Sequence, residues 1–275
     1  MNSSVREVQL VELDILKKIK EICEKHDLAY FLAYGTLLGA VRHGGFIPWD
    51  DDIDVIMPAP DYLKFCRIAQ KELGKDYFFQ TAYTDPGYHY CYGKVMKNGT
   101  TSLILKEKYL DIHWSIYVDV FPLVSYGSKE EFLKKKKILS QYLAIINTEY
   151  RRFNGENKTV KTKLFDLTPV WLRKELGKMY LHKLTKDFDP NKNMRIISAG
   201  SFGINEYLPG EFSGPGRKMK FEDDVFSVPY DTEGQLTRVF GDYMKLPPVE
   251  KRGGHAKRFK TEIVLDCNNS YEMYK

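Results

Sequence analysis

Apolar residues recur at helical spacing from the start of the chain. Val8, Val11, Ile15, Ile19, Ile22 and Cys23 form one stripe, and Ser4 with Glu7 three residues later makes a capping box ahead of it. Residues 30–34 read as a short buried strand broken by Gly35-Thr36, and residues 37–41 as a helical turn ending near His43-Gly44-Gly45. In residues 46–60, FIPWDDDIDVIMPAP, Ile53, Val55 and Met57 alternate with Asp52, Asp54 and Ile56, the period of a strand. Asp61 is read as the cap of a helix carrying Tyr62, Phe65, Cys66, Ala69 and Leu73 on one face. Aromatic-rich strands are expected at 77–80 and 90–96, and another over 116–121 that stops at Pro122.

From residue 128 to about 184 the pattern is helical, with a basic loop over 151–163. The run Lys134-Lys135-Lys136-Lys137 reads as a solvated face, because Glu130–Lys134 and Glu131–Lys135 are (i, i+4) pairs. The C-terminal third is Gly- and Pro-rich loop punctuated by short elements. The fold class is α+β: a small mixed sheet within residues 1–125, then a helical and loop-rich part over 126–275 whose tail returns to the site, all in one compact unit.

Composition narrows the function classes. Of 275 residues, 42 are Lys or Arg and 37 Asp or Glu, a net charge of +5 that is small for a dedicated nucleic-acid binder. With 43 % hydrophobic residues and 14 % aromatics, including 19 Tyr, the chain is no disordered segment. The longest charge-free stretch near the start, residues 28–41, is short of the about 20 apolar residues a membrane span needs. No basic region leads into an apolar block at the N-terminus, so the expectation is a cytoplasmic protein. Cys23, Cys66, Cys91 and Cys267 are scattered without a C-x-x-C pair and read as structural thiols.

The candidate chemistry lies in Asp50, Asp51, Asp52 and Asp54. Aspartate is depleted in strands, and clustered carboxylates repel, so something cationic must compensate. In a strand, Asp52 and Asp54 point the same way, as two ligands for a hard cation such as Mg²⁺ do. A solvated acidic turn is the plain alternative, and a glycosidase pair draws its carboxylates from separate elements. A calcium loop starting at Asp50 fails, because its sixth and twelfth positions would be Val55 and Asp61 rather than Gly and Glu. Gly35-Thr36 could let backbone N–H groups approach a phosphate, or simply turn. Asp119, ionisable within IYVDVFPL, needs either a shared metal or donors from Arg or backbone.

The segment YGTLLGAVRHGGFIPWDDDIDVIM resembles the signature of the LicD family of phosphotransferases, whose fold is nucleotidyltransferase-like. YGKVMKNGT, IYVDVFPL, KFEDDVFSVP and FGDYMKLPPVEKRGGH are similar to the family's later blocks, in the family's order, so the resemblance runs from residue 8 to about 259. It implies transfer of phosphocholine from CDP-choline, or of another CDP-linked alcohol phosphate, to a hydroxyl of a surface glycan of teichoic acid or lipopolysaccharide type. It implies a donor-phosphate turn at Gly35 and Thr36, and a catalytic, metal-binding trio of Asp52, Asp54 and Asp119 holding two Mg²⁺ or Mn²⁺ ions, with Asp119 also accepting the acceptor's proton. Arg42, Lys94 and Arg252 lie in matching blocks and are candidates for the diphosphate; the alternative is surface cations. His43, His255, Asp50 and Asp51 are further candidates at the substrate, and Trp49, Tyr92 and Tyr117 for the quaternary ammonium, against a core role for each aromatic. The implied partners are the CDP-linked donor and a glycan acceptor that can be lipid-linked, which brings the protein to the inner face of the membrane without a transmembrane segment. Nucleotidyl transfer at the same site and a non-catalytic metal or anionic-glycan binding module remain the other readings.

Overall fold

The computed structural model describes residues 3–154, 163, 165–197, 207–212 and 216–275. Residues 155–162 of the expected basic loop lie outside the described residues. The order is α1 (Val5–Lys25), β1 (Phe31–Leu32), α2 (Tyr34–His43), β2 (Asp54–Pro58), α3 (Ala59–Leu73), β3 (Tyr77–Gln80), β4 (Gly93–Lys97), β5 (Thr101–Ile104) and β6 (Tyr117–Tyr126). There follow α4 (Lys129–Ile146), α5 (Thr148–Asn154), α6 (Val170–Thr185), β7 (Asn193–Ile196), β8 (Arg217–Phe221), β9 (Asp224–Val228), α7 (Thr232–Phe240), α8 (His255–Phe259) and β10 (Ile263–Asp266). The α+β expectation holds: a mixed sheet runs β1-β2-β6-β4-β3, β7 extends β6, and β10-β5 and β8-β9 form separate ribbons.

β2 and β6 are parallel, and the other pairings of the main sheet are antiparallel. The sheet is buried on both faces. Val55 and Met57 of β2 and Val118 and Val120 of β6 pack in the larger core, with Phe65 and Ala69 of α3 and Ile15 and Ile19 of α1. Ile56 and Phe121, one residue out of phase, pack in a second cluster with Met194 and Tyr207. Helix α1 keeps its capping box: Ser4 accepts from the Glu7 amide and Glu7 accepts from the Ser4 amide.

Several boundaries differ from the sequence pattern, each for a local reason. The strand expected over 30–34 is only Phe31–Leu32, because Tyr34 already opens α2 with a φ of +44°. Pro58, not Asp61, is the N-cap of α3; no side chain caps it, and Asp61 sits in the first turn. Strand β4 starts at Gly93 rather than at 90, since tyrosines before it line a cavity instead of pairing. Strand β6 runs through Pro122, which follows the last β4 pairing (Gly93↔Val120), so its missing N–H takes no donor from that ladder, and its carbonyl accepts from the Ile197 amide at 3.0 Å. On α4, Glu130–Lys134 forms as expected at 2.9 Å, but Lys135 is buried and donates to the Leu184 carbonyl of α6 at 2.8 Å. Cys23, Cys66, Cys91 and Cys267 form no disulfide among the described residues.

Candidate active site

The registers place four polar side chains in one row across the sheet. Asp54 is opposite Asp119, Asp119 opposite Lys94, and Lys94 opposite Gln80. Because Val55, Val118, Val120 and Val95 all face the larger core, Asp54, Asp119 and Lys94 share the opposite face. Lys94 reaches Asp119 with Nζ 2.8 Å from Oδ1, so the cation that the lone carboxylate of β6 requires comes from β4. Burial pushes the Asp119 carboxyl upward against the pull of Lys94, and pulls the Lys94 ammonium down. Asp54, 8 % exposed, is driven well above the usual carboxylate range, first by burial and then by Asp52, Asp119 and Asp50.

The acidic segment leading into β2 is held in place by neighbours on three elements. Gln9 of α1 donates to the carbonyls of Ile47 (3.2 Å) and Asp50 (2.8 Å). Glu222, in the turn between β8 and β9, accepts from the Phe46 amide at 3.0 Å and pairs with Arg6, which is the structural use of the KFEDD stretch. Thr36 Oγ1 accepts from the Asp54 amide at 2.9 Å, so the hydroxyl fixes the first residue of β2 and keeps its own proton to donate. Gly35 is required here: a Cβ would lie 2.6 Å from Asp50 Oδ2. Helix α2 has no side-chain cap, which leaves its first amides, Gly35 and Thr36 among them, at a site suited to an anion.

The tail closes over this segment. The His255 amide donates to Asp51 Oδ1 at 2.7 Å, its Nδ1 lies 2.9 Å from the same oxygen, and its Nε2 is 3.6 Å from Asp52 Oδ2. Gly254 packs so tightly that a Cβ would collide with the Asp51 carboxylate. Asp51, Asp52 and His255 each present a ligand atom within 4.8 Å of the others. Beneath them lies Glu12 of α1, 3 % exposed, with Oε2 lacking a hydrogen-bond partner. Burial and the charges of Asp52, Asp51, Asp50 and Asp54 push its carboxyl well upward. So many carboxylates with so few cations fit a divalent ion: oxygen donors suit Mg²⁺ or Mn²⁺, and imidazole is compatible with the latter.

The remaining candidates fall into two groups. Arg42 donates to the Tyr243 carbonyl (2.7 Å) and to His43 Nε2 (3.0 Å), Arg252 stacks on Trp49 with 4.9 Å to the ring centre, and His43 meets Trp49 edge-on. Burial and the neighbouring Arg252 pull the Arg42 pKa down. Trp49 is thus covered by a guanidinium, whereas Tyr92 and Tyr117 line a cavity of about 400 Å³ together with Lys94, Asp119 and His255. Lys94 Nζ lies 3.1 Å from the Tyr117 ring centre. Gln9, Glu12, Gln80 and the cavity residues Tyr88, Tyr90 and Glu107 were not singled out in the sequence. For Gln9 and Glu12 the available signal was a polar residue on the buried stripe of an amphipathic helix.

Residues 27–155, which hold the row and the acidic segment, match the family described as LicD/FKTN/FKRP, nucleotidyltransferase domain. The chain carries a LicD-family nucleotidyltransferase domain. Over nearly its whole length the chain is 29 % identical, across 265 residues, to the lipopolysaccharide cholinephosphotransferase LicD of Haemophilus influenzae, covering 92 % of this chain and 96 % of the relative. An uncharacterised protein of Rickettsia prowazekii is 31 % identical over 127 residues, 43 % of this chain and 47 % of its own. The mannosyltransferase regulator 4 of Saccharomyces cerevisiae is 21 % identical over 160 residues, 55 % of this chain but 13 % of its own. The similarity to the Haemophilus LicD extends well past the matched domain, into the C-terminal part that supplies His255 and Glu222. Among the described residues no helix is long and apolar enough to cross a membrane.

Proposed function

We propose that this protein transfers phosphocholine from CDP-choline to a hydroxyl of a surface glycan, of lipopolysaccharide or teichoic acid type, and releases CMP. The observation that carries this reading is near end-to-end similarity to a lipopolysaccharide cholinephosphotransferase, in a chain whose own carboxylates converge at the mouth of an aromatic cavity. Asp51, Asp52, Asp54 and His255 would hold Mg²⁺ or Mn²⁺, with Asp119 beside them. Such ions neutralise the donor diphosphate and favour ionisation of the acceptor hydroxyl.

The chain's own groups then have distinct tasks. The amides of Gly35 and Thr36 and the guanidinium groups of Arg42 and Arg252 bind the diphosphate. Asp119 accepts the acceptor's proton, and Lys94 stabilises the negative charge on Asp119 before that transfer. A bond forms between the acceptor oxygen and the choline-bearing phosphorus, while the bond from that phosphorus to the CMP oxygen breaks and CMP leaves with the electron pair. The acceptor can be lipid-linked, which would bring the protein to the cytoplasmic face of a membrane.

Product analysis tests this reading. CDP-choline, CDP-ribitol and CDP-glycerol are each incubated with Mg²⁺ and a lipopolysaccharide core oligosaccharide. CMP formed in step with phosphocholine on the glycan is the expected result, with CDP-choline the best donor. Pyrophosphate released from CTP under the same conditions, with no CMP from any CDP-alcohol, would mean nucleotidyl transfer instead.

A further inference from the structure

The cavity beside Asp119 contains a second carboxylate that the transfer chemistry does not use. Glu107 closes the short turn after β5, is 6 % exposed, and has an Oε2 without a hydrogen-bond partner. His89 Nε2 is 4.0 Å away, but burial pulls the His89 pKa down to about 4, so at neutral pH the ring carries no charge. Lys106 is exposed at the rim and makes no ion pair with Glu107 among the described residues. The other cation in the wall, Lys94, is matched by Asp119. Among the described residues Glu107 therefore has no Lys or Arg ion pair inside the cavity; Lys106 at the rim and Lys94 act on it without contact.

The walls identify which cation would pair with Glu107. Tyr88, Tyr90, Tyr92, Trp114 and Tyr117 surround the space, with Tyr88–Tyr90 ring centres 5.4 Å apart and Tyr90–Tyr92 5.5 Å apart. A divalent ion needs about six oxygen ligands, and a sugar needs several directed donors and acceptors. Besides Glu107 and the Lys94-paired Asp119 the lining offers Gln80, Ser102, His113 and Thr261, whereas Tyr90 near Glu107 and the other four rings present aromatic faces. They suit a cation without N–H groups, held by ring faces and by charge. The volume of about 400 Å³ falls in the range of small-molecule sites, and the cavity opens directly onto Asp119 and His255.

We propose that Glu107, with Tyr88, Tyr90 and Trp114, forms the subsite for the trimethylammonium group of choline and makes the enzyme prefer choline over uncharged CDP-linked alcohols. This rests on the phosphocholine reading above. Glu107 acts on the donor's charged end and takes no part in bond making.

The test separates the subsite from the reaction. Choline chloride and its neutral carbon isostere, 3,3-dimethylbutan-1-ol, are titrated into the full-length protein by calorimetry, without donor or turnover. Choline should bind at least tenfold more tightly than the isostere. Glu107→Gln should remove that tenfold advantage while the isostere's affinity stays within twofold. Tyr90→Leu should weaken choline binding and Tyr90→Phe should not, which covers the case in which Glu107→Gln fails to fold. Choline binding no tighter than the isostere's, or unchanged in Glu107→Gln and Tyr90→Leu, overturns the subsite. Choline binding as expected, with no CMP formed from CDP-choline, contradicts the transfer reading and leaves the subsite standing.

Discussion

Lys94 and Asp119 face each other across the antiparallel ladder of β4 and β6 and close a buried ion pair of 2.8 Å. Neither charge has much access to water, so each depends on the other. Removing one partner of such a pair costs about 3–5 kcal/mol, because the remaining charge stays buried. Lys94→Met should therefore lower stability by about that amount in urea denaturation. Lys94→Met/Asp119→Leu should recover most of the loss while remaining inactive. Equal destabilisation in the single and double variants would show that the pair is not coupled.

The acidic segment makes an opposite prediction for stability. Burial first, and then the carboxylates around them, push Asp54 and Glu12 upward, so the cluster is also under repulsion. Asp52→Asn should raise the melting temperature in EDTA, abolish the rise that Mg²⁺ gives the wild type, and reduce CMP release by about a hundredfold or more, which is ~2.7 kcal/mol of barrier. Thermal melts with and without Mg²⁺ measure the first two effects.

Gly254 controls where His255 sits. A methyl group there collides with the Asp51 carboxylate. Gly254→Ala should displace the imidazole and weaken Mn²⁺ binding by about 10–100-fold, the range for lost support of a ligand. Its melting temperature in EDTA should barely change, because the segment around it is half-buried rather than core. Mn²⁺ titration by electron paramagnetic resonance reads the affinity.

Two histidines give the fold a pH dependence away from the carboxylate cluster. Burial pulls both His89 and His113 down to about 4, with Lys94 and Lys275 respectively adding to it. Between about pH 4 and the ordinary value near 6.5 the unfolded chain binds more protons than the folded one, so stability rises with pH across that window. The contribution is complete above about 6.5 and is lost as pH falls through about 4. His113→Asn should flatten the rise measured by urea denaturation at pH 7, 6 and 5.

The sequence carried much of this arrangement where one residue's neighbours along the chain decide its environment. The capping box at Ser4, the alternation around Ile53 and Val55, and the ionisable Asp119 in an apolar strand are all local patterns, and the pattern led to the acidic segment directly. What it did not carry was set by pairing at long range. The approach of Lys94 to Asp119 depends on the register of strands 25 positions apart, and that of His255 to Asp51 on contacts 204 positions apart. Pro122 looked like a strand end because nothing local shows that β4 stops and β7 starts beside it. Lys135 looked solvated because its partner, the Leu184 carbonyl, belongs to another helix. Glu107 lies in a turn with no periodicity, and only the cavity around it makes it noticeable.

The most direct test of metal-assisted phosphocholine transfer is phosphorus NMR of a reaction containing CDP-choline, Mg²⁺ and a lipopolysaccharide core oligosaccharide, run with wild type and with Asp52→Asn. The wild type should yield CMP and a phosphodiester of choline on the glycan in equal amounts, and Asp52→Asn should yield neither. Equal product from both proteins, or CMP without any choline phosphodiester, would contradict it.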